Sequence, residues 1–126
     1  MVSTSGTTLD ERRTAQHPIA RKRVNSPAKA SSTFVDSLPF SLNGRLKGLK
    51  FSSVDIASAT YTFTLYDKDN VVIYTQSSIA ENTFVYTNLT ADNVLFLSHV
   101  AAYCRWTWTG AEIRTVGDFS VEFFYG

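Results

Sequence analysis

At 126 residues with 44% hydrophobic and 18% charged content, the chain has the make-up of one globular domain and is too short for two of ordinary size. Its single cysteine, Cys104, excludes an internal disulfide framework, and no apolar run approaches the roughly 20 residues of a membrane-spanning helix or forms the apolar segment of a signal peptide. The net charge of +1 conceals a division, because the first 33 residues hold six basic and two acidic side chains and the remainder six basic and nine acidic.

The two tryptophans, six tyrosines and nine phenylalanines all lie at or beyond Phe34, so residues 1–33 have little with which to build a core. This leader combines Ser, Thr, Ala and basic side chains. Pro18 and Pro27 interrupt any helix, and a helical stretch over 9–16 starting near Thr8 would have only a thin apolar face. Residues 1–33 are predicted to form an extended arm, reaching on the order of 100 Å at about 3.3 Å per residue, that gains order by leaning on a neighbour. Its candidate partner-binding side chains are Arg12, Arg13, Arg21, Lys22 and Arg23. They suit an acidic protein groove or nucleic acid, with salt-sensitive binding in either case. No aromatic residue stands between the arginines for bases to stack on, which favours the protein groove.

From residue 34 to 126 the dominant period is two, the pattern of strands with one buried face. Leu38, Phe40 and Leu42 alternate before Gly44; Leu46, Leu49 and Phe51 follow with a break in phase that a bulge or turn at Gly48 would explain. Thr60 to Tyr66 is the clearest strand, with Tyr61, Phe63 and Leu65 on its core side and three threonines opposite. Asp67-Lys68-Asp69-Asn70 is turn chemistry leading into a partner strand, Val71 to Gln76. A strand is expected over Thr83 to Leu89, then a helical turn over Ala91 to Leu97 capped by Thr90. A hairpin follows, Ala102 to Thr109 and Glu112 to Val116 around Gly110, with Trp106 and Trp108 sharing one core face. The last strand, Asp118 to Tyr125, sets Phe119, Val121, Phe123 and Tyr125 on one side. About seven short strands at regular spacing predict an all-β fold, an immunoglobulin-like β-sandwich carrying the N-terminal arm.

The stretch from Thr60 to Tyr125 resembles small immunoglobulin-like modules of tailed-bacteriophage virion proteins, including the N-terminal modules of baseplate upper proteins. The strand, acidic turn and strand of Thr64 to Val72 carry the likeness. So do Leu89-Thr90-Ala91-Asp92 with Tyr103-Cys104-Arg105-Trp106, which looks like a helical crossing and the strand after it, and Glu112 to Val116 with Asp118 to Val121, which look like a closing pair of strands. Ala102 stands where such modules often have Gly, and no receptor-binding domain is expected after Tyr125, so host attachment is not implied. The resemblance implies a virion setting in which many copies contact other virion proteins, the major capsid protein or the portal and tail proteins.

No catalytic constellation, metal site or cofactor is expected. His17 lies in the leader and His99 in a predicted loop, away from Cys104, which alternates with Trp106 and Trp108 as a small buried hydrophobe would. Asp67, Asp69 and Asn70 offer oxygen ligands for a hard cation, with Asp55 or Asp118 as further carboxylates, but a tight turn prefers the same residues. Trp106, Trp108, Tyr103 and Phe124 are candidates for an aromatic platform binding a glycan, weighed against a core role for the tryptophans and a corner role for Tyr103, its hydroxyl bonded to backbone. The sequon Asn88-Leu89-Thr90 is read as chance.

Overall fold

The computed structural model describes residues 20–89 and 95–126. It is all-β: β1 (Ala20–Asn25), β2 (Lys29–Asp36), β3 (Phe40–Ser53), β4 (Thr60–Tyr66), β5 (Val72–Ala80), β6 (Phe84–Asn88), β7 (Leu95–Arg114) and β8 (Phe119–Tyr125). All pairings are antiparallel, and the strands form one sheet of eight in the order β1-β8-β3-β7-β4-β5, with β6 also on β3 and β2 also on β7. Two layers result because β7 changes partners along its length. Its first part pairs with β3, beside β1, β8 and β6, and its last part pairs with β2 and β4.

The layers are held by the side chains that period two points inward. Phe51 of β3 and Phe123 of β8 meet Phe63 of β4 at ring-centroid distances of 5.0 and 6.4 Å. Phe119 of β8 lies 5.1 Å from Tyr61, 5.9 Å from Trp106 and 5.3 Å from Trp108. Tyr61, Phe63, Leu65, Trp106, Trp108, Phe119, Val121 and Phe123 are all buried. Each such side chain contributes about 1.5–3 kcal/mol relative to an exposed one, so these rings dominate the favourable side of folding.

The leader expected over residues 1–33 divides. Arg12 and Arg13 lie outside the described residues, as does the helical stretch expected at 9–16, whereas residues 20–33 belong to the folded body. β1 pairs along its whole length with β8, from Ala20 opposite Tyr125 to Asn25 opposite Ser120. Ser26, fully buried, secures the end of that strand: its amide donates to the Phe119 carbonyl at 2.9 Å, and its hydroxyl accepts from the Phe119 amide at 3.0 Å. Ser37 does the same for β2 with both backbone groups of Cys104. A boundary at 33/34 follows from side chains alone, but an edge strand needs only one inward apolar residue, here Val24, and draws its pairing from backbone groups that every residue carries.

Three local expectations also change. No turn forms at Gly110. β7 runs on to Arg114, and against β2 the partner of Ser32 is Glu112 while that of Phe34 is Thr107, so the intervening residues bulge out of the ladder. Gly110 sits within this bulge at φ +91°, a conformation that costs glycine little. The hairpin expected from Ala102 to Thr109 and Glu112 to Val116 is therefore a single strand, and the closing pair of strands that the resemblance implied over Glu112 to Val116 and Asp118 to Val121 does not pair, since β8 pairs with β1 and β3. The helical turn over Ala91 to Leu97 falls partly outside the described residues, and its end, Leu95 to Leu97, is strand. At Gly48 the predicted break is a register shift between Leu46 and Gly48 against β8.

Candidate functional site

The outward side of the first layer is a four-strand surface whose residues can be read row by row from the register. One row runs Arg21, Phe124, Gly48, Asn88; the next Arg23, Glu122, Lys50, Tyr86; the third Asn25, Ser120, Ser52, Phe84. The alternate positions, Val24, Val121, Phe51 and Phe123 among them, point into the core, so the pleat turns the rows above outward. Phe84 and Tyr86 are 62% and 65% exposed, unusual for large rings on a folded body.

Cations and rings alternate across this surface. The Arg21 guanidinium lies 5.4 Å from the Phe124 centroid, and the Lys50 ammonium lies 4.7 Å from Phe84 and 5.7 Å from Tyr86. Lys50 also approaches Glu122 at 4.0 Å. The four strands β1, β3, β6 and β8 contain Arg21, Lys22, Arg23, Arg45, Lys47 and Lys50 against Glu122 alone. A groove of about 480 Å³ opens at one end, between Phe124 and Tyr125 on one side and Tyr86 and Leu89 on the other. Gly48 forms part of its floor, where a side chain would meet the Thr87 carbonyl oxygen at 3.1 Å. Burial raises the Tyr125 hydroxyl to about 12, so it stays protonated there.

The second layer carries a different cluster. Arg105 is held by Asp36 through two hydrogen bonds of 2.6 and 3.0 Å and lies 4.6 Å from the Phe34 ring. That carboxylate keeps the Arg105 pKa above its ordinary value. Tyr66 stacks on Tyr103 at 4.9 Å, and the Tyr103 hydroxyl donates to Asn70 Oδ1 at 2.8 Å. Tyr103 is thus not the expected corner residue: its hydroxyl meets a side chain rather than backbone. This cluster ties β2, β4 and β7 together.

Of the aromatic platform read from sequence, no shared surface forms. Trp106 and Trp108 are in the core, Tyr103 lies on the second layer and Phe124 on the outward side of the first. Cys104 is fully buried, and burial raises its thiol to about 12, far from the thiolate that nucleophilic chemistry needs. His99 is part of β7 rather than a loop. Asp67 serves the turn: its carboxylate accepts from the Asp69 and Val71 amides at 2.8 and 2.9 Å, and the Val71 bond leads in lowering its pKa. Asn70 takes φ +65° to close that turn.

Sequence reasoning missed Phe84, Tyr86 and Lys50 as surface partners of Arg21 and Arg23. The available signal was that Phe84 and Tyr86 share one face of a strand whose neighbour Val85 faces the other way. Comparison with protein-family models, curated proteins and solved structures finds no match to this chain.

Proposed function

We propose that the chain is a non-enzymatic structural protein built on an immunoglobulin-like β-sandwich and used in repeated copies on a larger assembly, the tailed-phage virion that its strand pattern resembles. Capsid decoration on the major capsid protein is the preferred role, with a position at the head-to-tail junction or in the tail as the second. One observation carries the reading. Beside edge strand β1, Leu38 and Val116 are 75% and 74% exposed and border a groove of about 470 Å³ shared with Val24, Phe40, Lys22 and Arg23. Apolar side chains rimmed by cations suit an acidic-edged neighbour that covers them. The docking element in this reading is the β1 edge, with residues 1–19 leading into it, rather than an arm of 33 residues.

Quantitative mass spectrometry of purified particles from the encoding genome tests it. Copies in the hundreds point to a lattice role and about a dozen to an axial one, as the symmetries of the two locations require. Leu38→Glu should fold normally yet lose incorporation. Absence of the protein from intact particles overturns the proposal.

A further inference from the structure

The leader's arginines lack aromatic residues between them in sequence, yet the fold supplies rings from other strands. Arg21 faces Phe124 across the β1–β8 ladder, and Lys50 separates Glu122 from Tyr86 in the next row. Phe84 and Tyr86, two positions apart on β6, are about 6.8 Å from each other at about 3.4 Å per residue, and Phe124, two strands across and one row along from Tyr86, is about 12 Å from it. The Phe84–Tyr86 spacing matches successive bases splayed on a sheet, Phe124 is placed for a base further along the strand, and flanking cations are placed to meet a phosphate chain.

We propose that the outward surface of β1, β8, β3 and β6 binds single-stranded nucleic acid without sequence preference, with Phe84, Tyr86 and Phe124 stacking bases and Arg21, Arg23 and Lys50 holding phosphates. Charge complementarity supports this occupant, since the outward rows carry Arg21, Arg23 and Lys50 against Glu122 alone. The inference stands apart from the virion reading, because one is tested by binding in solution and the other by copy number in particles.

Fluorescence anisotropy of the full chain with labelled oligo-dT and oligo-U of about a dozen nucleotides, and with a duplex of equal length, tests it. Both single strands, or one of them if the sugar matters, should bind more tightly than the duplex. Tyr86→Ala should weaken binding about tenfold. Phe124→Leu, which retains apolar packing and removes the ring, should also weaken it. Arg21→Gln with Arg23→Gln should reduce the slope of log affinity against log salt by about 1.4, about 0.7 for each phosphate no longer neutralised. Circular dichroism of each variant should match the parent. No binding to either single strand overturns the proposal. So does duplex binding as tight as single-strand binding, or ring variants that bind as tightly as the parent; an acidic protein partner would then be the better occupant.

Discussion

Phe63→Ala removes the ring at which the two layers meet. Phe63 is fully buried, and its neighbours Phe51, Trp106 and Phe123, with centroids at 5.0, 6.0 and 6.4 Å, come from three other strands. No single shift of one strand can refill the space, so the loss should be about 3–5 kcal/mol, the transfer and cavity contributions together. With a urea dependence of about 2 kcal/mol per molar, a loss of about 4 kcal/mol lowers the unfolding midpoint by about 2 M. Equilibrium unfolding followed by the fluorescence of buried Trp106 and Trp108 and by circular dichroism measures this directly. Phe84→Ala, which truncates an exposed ring, is the matched control and should change stability by less than about 0.5 kcal/mol. Should Phe63→Ala fail to fold at all, Phe63→Leu should still cost about 1–1.5 kcal/mol. A midpoint unchanged by Phe63→Ala, or a Phe84→Ala loss of equal size, would refute the packing described.

Gly110→Ala should cost about 1–3 kcal/mol, and more than Gly117→Ala: both glycines have positive φ, but an added Cβ at Gly110 meets the Ala57 Cβ at 3.0 Å whereas at Gly117 it meets nothing within 4 Å. Equal losses in urea unfolding would remove the Ala57 contact from the account. The Cys104 thiol, buried and raised to about 12, should react with a disulfide reagent in mildly alkaline buffer only as fast as the chain opens, and at once in concentrated guanidinium; rapid labelling of the native chain would contradict that burial. Asp67 has a folded pKa below its unfolded value of about 3.9, so its bonds to the turn stabilise fully above that value and fade as pH falls through the folded pKa. A carboxyl NMR titration of Asp67 should show a midpoint below the ordinary one and Asp67→Asn should remove that pH dependence; a midpoint at or above the ordinary value would show that the amide bonds do not form.

Much of the all-β fold was legible in sequence because alternation writes burial directly. Tyr61, Phe63 and Leu65 face inward for the same reason that Phe119, Val121 and Phe123 do: successive side chains on a strand point to opposite sides. The Asp67 to Asn70 turn was equally local, since the carboxylate reaches amides only two and four residues ahead. Ala20 to Asn25 was hidden for the opposite reason. Its place at the sheet edge rests on backbone hydrogen bonds to β8, which leave almost no trace in residue type, and a lone Val24 is too weak a sign of an inward face.

The outward surface belongs wholly to the tertiary structure. Arg21 and Phe124 lie far apart in the chain, and only antiparallel pairing of β1 with β8 makes them neighbours. Lys50 stands beside Tyr86 because β6 pairs with β3 in one register, and a slip of one residue would turn Tyr86 inward. Period and turn chemistry along the chain therefore determined most of the strands from residue 34 on and which side of them is core. Which basic and aromatic side chains share a surface was decided by strand order and register, because hydrogen-bonded pairing brings together residues that no local pattern connects.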